Sequence, residues 1–163
     1  LAKGGPTVSE LLKNLSALRI RPVGNSPEEC EEAATALNRL MPSLTENYTA
    51  LKAADVARML STGLTRIYLG RDESGKVQAG ATLVLCCSPT GCKAWIEDVA
   101  VMPDCRRRGY GRAIIRFLIA ESQRLGAKSL NLTSQPKREA ANALYRSEGF
   151  VLRETNVYRW QEK

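Results

Sequence analysis

The chain has 163 residues, 44% of them hydrophobic and 25% charged, and its 24 Lys and Arg against 17 Asp and Glu give a formal net charge of +7. That length and balance describe one compact globular domain with a real core, and the positive charge points to an anionic partner. There is no histidine, which removes Ser-His-Asp, Cys-His and HExxH chemistry together and leaves carboxylates, tyrosine, water or a depressed amine as general bases.

Residues 1–17 read as an N-terminal arm, mobile or a short helix, with Thr7-Val8-Ser9-Glu10 as a capping box before Leu11, Leu12 and Leu15. Residues 18–163 read as a single domain. Leu18 to Val23 alternates and predicts a first strand, with Pro22 marking its edge or end. Ser26-Pro27-Glu28-Glu29 is a helix start, Ser at the cap, Pro at the first position and Glu at the third. That helix carries Cys30, Ala33, Ala34, Leu37 and Leu40 inward and stops before Pro42. Thr49 is the expected cap of a second helix using Leu51, Ala54, Val56, Met59 and Leu60, with Gly63 just beyond it.

The period then changes from 3.6 to 2. Thr65 to Arg71 predicts a strand, Asp72 to Lys76 a hairpin turn, Val77 to Cys87 a strand, and Ser88 to Gly91 a second turn. Lys93 to Val101 follows as a central strand. Gly109 to Leu125 has the stripe of an amphipathic helix, with Gly126 at its left-handed end. Ser129 to Thr133 predicts a short strand, parallel to the central one if the helix is a right-handed crossover. Residues 137–147 predict another helix ending near Gly149, and 150–154 with 156–160 a closing hairpin. The fold class is mixed α/β.

No apolar run reaches the roughly 18 residues that span a bilayer, and Leu1 to Leu18 is too polar for the core of a signal peptide. Five cysteines (Cys30, Cys86, Cys87, Cys92, Cys105) form no CxxC pair, so no metal site is expected. Their odd number and scatter suit reduced thiols in a cytoplasmic, intracellular setting.

The chemistry gathers around Trp95 to Ile115. Arg106-Arg107-Arg108-Gly109-Tyr110-Gly111 fits R-x-x-G-x-G between a strand and a helix. Glycines there permit close backbone approach, and the N–H groups from Arg108 to Arg112 form a nest for a pyrophosphate at the positive end of the helix. Arginines crowded on one loop, with few aromatics, favour a small polyphosphate over nucleic acid. Glu97 and Asp98 are adjacent carboxylates in a strand that otherwise reads as buried, a costly position unless the acids are paired or working. A regular strand turns only one of them to a given face. Either Glu97 is a base or the pair is bridged to an arginine. Tyr145 is either a core tyrosine pinned by Phe150 or a proton donor, and Cys105, among cationic neighbours, is a weak candidate nucleophile.

Val99 to Ala113 (VAVMPDCRRRGYGRA) together with Ala141 to Phe150 (ANALYRSEGF) resembles the GCN5-related N-acetyltransferase superfamily. The resemblance implies a splayed, mostly antiparallel sheet with one parallel strand pair, opening between the strands at 93–101 and 129–133. It implies acetyl-coenzyme A as donor, its pantetheine arm paired with the backbone of Val99, Ala100 and Val101, and its pyrophosphate on Arg106, Arg107, Arg108, Gly109, Tyr110, Gly111 and Arg112. Tyr145 would protonate the departing thiolate. Glu97 would accept the amine's proton, directly or through water, and Asp98 would help recognise the acceptor. Arg138 stands where the family more often has asparagine, so either Arg138 or Asn142 would reach the cofactor, or Asn142 sits on a solvated helix face. The acceptor is a primary amine attacked directly in a ternary complex. The strand IEDVAV is similar to that of glucosamine-6-phosphate N-acetyltransferases, small homodimers, whereas SQPKREAANALY is closer to bacterial members of undefined substrate, which leaves a free amino acid, a polyamine or a protein lysine as further acceptors. The remaining alternative is a non-catalytic basic module that binds polyanions. No nucleic acid or membrane partner is expected.

Overall fold

The computed structural model describes residues 18–162; the expected arm and capping box at 1–17 lie outside them. The described chain divides into two compact units between Thr133 and Ser134.

The first unit opens with β1 (Arg19–Pro22) and α1 (Pro27–Leu40). Helix α1 begins as the sequence dictates. The Glu29 N–H donates to Ser26 Oγ at 3.2 Å and the Ser26 N–H donates back to Glu29 Oε2 at 3.3 Å, so two donors left over by the helix are satisfied reciprocally. A short 3₁₀ turn, Met41–Ser43, absorbs Pro42. Helix α2 (Ala53–Leu60) starts later than expected, and Thr49 does not cap it. Lys52 occupies the cap position, and its N–H donates to Asp55 Oδ2 at 3.0 Å. The reason lies in Leu51, which is tied to the Asn38 side chain through both its N–H and its carbonyl and so stays outside the helix.

Strands β2 (Thr65–Arg71), β3 (Val77–Ser88), β4 (Gly91–Val101) and β5 (Leu130–Leu132) complete a five-stranded sheet in the order β1-β2-β3-β4-β5. All neighbours are antiparallel except β4 and β5, which run parallel across the crossover helix α3 (Tyr110–Arg124). One face of the sheet packs on α1 and α2 through Cys30, Leu37, Leu40, Val56, Ile67, Leu69 and Ala100. Gly80 lets α1 approach, because a Cβ there would stand 3.1 Å from Leu40 Cδ1. The other face carries α3, whose Ile114, Ile115 and Leu118 are fully buried. Each such side chain contributes about 1.5–3 kcal/mol over its exposed state.

One expectation fails here. Cys87 and Cys92 face each other in register beside the Ser88–Gly91 turn and are joined in a disulfide, while Cys30, Cys86 and Cys105 are free. An odd cysteine count does not prevent a bridge when a two-residue turn sets two of them opposite, and the ground for inferring a reducing compartment falls with it. Among the described residues no helix is long and apolar enough to cross a membrane.

The second unit contains α4 (Glu139–Ser147), which ends in left-handed Gly149 as the sequence predicts. The closing hairpin is absent: residues 150–162 form no strand. Val151, Leu152, Val157, Tyr158 and Trp160 are 78–94% exposed. A lone two-stranded hairpin is marginal in water, and here no buried apolar face holds one together.

Candidate functional site

The site is built on a change of face within β4. Residues directly opposite in antiparallel strands point to the same side. Tyr68, which stacks edge-on against Phe117 of α3, pairs with Ala81, and Ile96 pairs with Leu83 two residues further along β3. Ala94 and Ile96 therefore face α3. Ala100, four residues after Ile96, lies instead in the cluster with α1 and α2. An unbroken strand would keep residues 96, 98 and 100 on one side. The alternation breaks at Asp98, whose φ of 52° is left-handed, and the register with β3 slips there, from Thr82↔Glu97 to Gly80↔Ala100. This is a β-bulge carrying an acidic residue at its bend.

The bulge has two consequences. Glu97 pairs with Thr82, whose β2 partner Ile67 belongs to the α1–α2 cluster, so Glu97 and Ala100 share that side. Both carboxylates are exposed rather than one being buried. Among the described residues no basic side chain pairs with Glu97; partial loss of water and then the Asp98 charge push its carboxyl upward. That removes the arginine-bridge alternative and leaves Glu97 better suited to accept a proton near neutrality than an ordinary glutamate.

The second consequence concerns the other edge of β4. Its ladder with β5 comprises Ala94↔Leu130, Trp95↔Asn131 and Ile96↔Leu132, and goes no further. Among the described residues, the strand from Glu97 to Val101 pairs with β3 on one side only. Val99, Ala100 and Val101 thus present an extended backbone edge without a neighbouring strand, the geometry that takes up an extended ligand by strand addition.

That open edge runs directly into the glycine loop. After the 3₁₀ turn Pro103–Cys105, Arg107 takes a left-handed φ of 61° and Gly109 one of 82°. Gly109 is needed for its backbone, since a Cβ there would meet nothing within 4 Å. It occupies the cap position of α3, whose own hydrogen bonding starts with Ala113 N–H to Gly109 O at 2.9 Å, so the N–H groups of the first turn lie ahead of that ladder. Arg106, Arg107, Arg108 and Arg112 are exposed around this point, and Gly111 is already helical. The Tyr110 ring is buried and anchors the helix, so the part expected of it in the nest falls to its backbone N–H. Cys105 is buried too, which withdraws it as a nucleophile. The left-handed backbone, the open edge and the cationic side chains suit an extended ligand that carries a pyrophosphate.

Helix α3 is held by a polar lock on β2. The Tyr68 hydroxyl donates to Glu121 Oε1 at 2.8 Å, and Arg124 grips the same carboxylate through Nε and Nη2, both at 2.7 Å. Burial, then the Glu121 contact, drives the Tyr68 phenol strongly upward, so it stays a neutral donor. Arg124 in turn holds Glu121 below its ordinary value. Arg66, two residues before Tyr68 on β2, adds its charge to the same group.

In the second unit Tyr145 is half-buried on α4, its ring edge-on to Phe150 at 6.0 Å between centroids. Burial raises its phenol, and Arg138 partly offsets this. Asn142 donates from Nδ2 to the Gln135 carbonyl at 2.9 Å, tying the segment before α4 to the helix. Arg138, at the cap position, is exposed.

The acid at the bend is the feature whose role is hardest to read from sequence. Its signal is an aspartate in an otherwise apolar row (Ala94, Ile96, Asp98, Ala100), which reads as a broken alternation.

Residues 35–150 match the model of the acetyltransferase (GNAT) family. A 58-residue stretch is 41% identical to the [ribosomal protein bS18]-alanine N-acetyltransferase of Escherichia coli (strain K12); the match takes in 36% of this chain and only 39% of that protein. Among solved structures, an aminoglycoside acetyltransferase from an uncultured soil metagenomic sample superposes with a TM-score of 0.77 at 18% identity, covering 91% of this chain and 97% of that one. The ribosomal-protein-alanine N-acetyltransferase of Brucella melitensis biovar Abortus 2308 gives 0.71 at 16% identity over 90% and 100%. The glucosamine-6-phosphate N-acetyltransferase of Arabidopsis thaliana gives 0.69 at 18% over 89% and 99%. At these identities the superpositions speak for the fold alone, a splayed mixed sheet with one parallel pair.

Proposed function

The chain belongs to the acetyltransferase (GNAT) family, and on that premise we propose that it moves the acetyl group of acetyl-coenzyme A to a primary amine by direct attack in a ternary complex. The observation that carries the reading is the parting of β4 from β5 at Ile96 and Leu132, directly before the Arg106–Arg112 loop. An extended thioester arm along Val99–Val101 with its pyrophosphate at the start of α3 uses both features at once. The family match runs from residue 35 to residue 150, across the division at Thr133, and supports treating residues 18–163 as one functional domain.

In this reading the amine nitrogen attacks the thioester carbonyl carbon, and the carbon–sulfur bond breaks as the new amide forms. Glu97 takes the proton released by nitrogen, directly or through one water, and Asp98 attracts the incoming ammonium. A backbone N–H near Val99 stabilises the charge on the carbonyl oxygen. Tyr145, assigned by its place in the second motif, gives its proton to the departing thiolate. A phenol near pKa 10 is a competent donor to a thiolate whose acid lies near about 8.5, and burial keeps Tyr145 protonated. Tyr145→Phe should lower kcat by about 10²-fold with acetyl-coenzyme A affinity unchanged; an unchanged kcat removes the assignment. Arg138 is read as a cofactor contact. Asn142 keeps that role only through the part of its amide that Gln135 does not use.

Two acceptors compete. Likeness of the IEDVAV strand favours glucosamine 6-phosphate, while the 41% identity to a protein-alanine acetyltransferase favours a peptide α-amine. Paired carboxylates beside the open edge suit an ammonium without a nearby phosphate, so we place the peptide amine first. The test is titration with acetyl-coenzyme A followed by free-thiol release with an alanine-initiated peptide, glucosamine 6-phosphate and sisomicin. Absence of acetyl-coenzyme A binding overturns the reading and leaves the polyanion-binding alternative. We also propose a homodimer, on the likeness to glucosamine-6-phosphate enzymes, and a monomer in sedimentation equilibrium overturns it.

A further inference from the structure

Between the 3₁₀ turn and α2, residues 44–52 form no helix or strand, yet one side chain of α1 fixes them. Asn38 Nδ2 donates to the Leu51 carbonyl at 2.9 Å, and Asn38 Oδ1 accepts from the Leu51 N–H at 2.8 Å. The amide therefore pairs with Leu51 as another peptide group would, and its oxygen also accepts the Tyr48 hydroxyl at 2.7 Å. Only Asn has this donor and acceptor at this reach; aspartate lacks the donor, and leucine, its near match in shape, lacks both.

This segment occupies a functional side of the sheet. The 3₁₀ turn before it packs on β4. Leu44, Tyr48 and Leu51 pack on the cluster that includes Ala100, the side to which Glu97 also turns. Tyr48 is half-buried, loses water, and feels the negative charge of Asp98, so its hydroxyl stands within electrostatic reach of the bend. Asn38 makes no contact with Glu97 or Asp98 of its own in any of these bonds. Its position decides where Tyr48 stands relative to them.

We propose that Asn38 is a positioning residue for the acceptor: by clamping Leu51 and Tyr48 to α1 it sets the wall that faces the Glu97–Asp98 bend, and so governs capture of the amine while leaving the coenzyme cradle untouched. This rests on the amine-acetylation reading. The clamp and the cradle are separated along the chain and use different elements, α1 with residues 44–52 against the end of β4 with the start of α3. Loosening the first displaces a wall of the acceptor side, and misplacement by about 1 Å is enough to cost up to about 10²-fold in productive binding.

The test compares wild type with Asn38→Ala, Asn38→Asp and Tyr48→Phe, each checked for folding by circular dichroism, using the three amines named above. Asn38→Ala should raise the acceptor KM about 10-fold or more, with kcat at saturating amine and the dissociation constant of acetyl-coenzyme A each within about 2-fold of wild type. Asn38→Asp, which keeps the acceptor atom for the Leu51 N–H and the Tyr48 hydroxyl, should recover part of the loss. Tyr48→Phe, which keeps the ring and the Leu51 bonds, should raise KM less than Asn38→Ala. An unchanged acceptor KM in folded Asn38→Ala overturns the proposal, as does a rise in the acetyl-coenzyme A dissociation constant equal to the rise in KM. Failure of the underlying reading shows earlier and differently, as wild-type protein that binds no acetyl-coenzyme A or acetylates none of the amines, and it overturns the proposal with it. If Asn38→Ala does not fold, the decision passes to Asn38→Asp and Tyr48→Phe, and equal acceptor KM in both and in wild type overturns the proposal.

Discussion

The two halves of β4 differ more than any two strands of the sheet. From Ala94 to Ile96 the strand is hydrogen-bonded on both edges, to β3 and to β5, and Ala94 and Ile96 are at most 3% exposed. From Glu97 to Val101 it keeps, among the described residues, only its β3 partner, and both acids reach solvent. One left-handed residue, Asp98, separates them. A fully paired strand has no donors or acceptors to offer a ligand, and a strand open on one edge, covered on its faces by helices, has a row of them. In the proposed reading one element is divided between holding the fold together and receiving a substrate.

If that division is real, substitutions on either side of the bend should fail in different currencies. The largest effect on chemistry should come from Glu97→Gln. Removing a positioned base lowers kcat by about 10²–10⁴-fold, while the exposed side chain makes little difference to unfolding, within about 0.5 kcal/mol. Single-turnover kinetics and urea melts measure the two separately, and a parallel loss of stability and rate would show that Glu97 is structural.

One residue earlier the order inverts. Ile96 is 3% exposed on the α3 side, and Ile96→Ala should cost about 2–5 kcal/mol in urea unfolding through lost burial and the cavity left behind. Val99→Ala, three residues on and partly exposed, should cost about 1 kcal/mol or less. Acetyl-coenzyme A affinity, measured on the folded fraction of Ile96→Ala, should not change. Comparable destabilisation at both positions would mean that the bend does not divide the strand.

Much of this was legible beforehand, for local reasons. The cap of α1 is written in Ser26-Pro27-Glu28-Glu29 because its bonds join residues three apart. Gly126 and Gly149 adopt the left-handed backbone expected just past a helix C-terminus. The parallel pairing of β4 and β5 follows from a helix between two strands. What escaped depends on pairing, register and packing. Thr49 looks like a cap, but Asn38, thirteen residues before Leu51, holds that segment out of the helix. The Cys87–Cys92 bridge depends on the turn between them setting the register. Residues 150–160 have strand composition but no buried face, and composition cannot supply one. The site residues themselves were recognisable as residue types in sequence. That Glu97 and Ala100 share a side was not, because it needs the slipped register at Asp98.

The smallest expected effect bears most directly on that slip. A non-glycine residue in the left-handed region costs roughly 1–2 kcal/mol relative to glycine, less for Asp or Asn, whose side chains can bond locally. Asp98→Gly should therefore leave stability unchanged or raise it by about 1 kcal/mol, whereas Asp98→Asn, which tolerates the same backbone, should leave it near wild type. Both remove the charge that helps raise the Glu97 carboxyl, although burial is the larger cause. Removing a neighbouring negative charge favours the ionised form, so the Glu97 pKa should fall in both variants without returning to the value of a free glutamate, as read by carbon-13 titration of its carboxyl. A fall in Asp98→Asn without any gain in stability, beside a fall with a gain in Asp98→Gly, would separate the two duties of this position: its backbone makes the bend and its charge tunes the base. If neither variant moves the Glu97 titration, Asp98 serves the geometry alone, and the open half of β4 owes its chemistry to the parted ladder rather than to the acid at the bend.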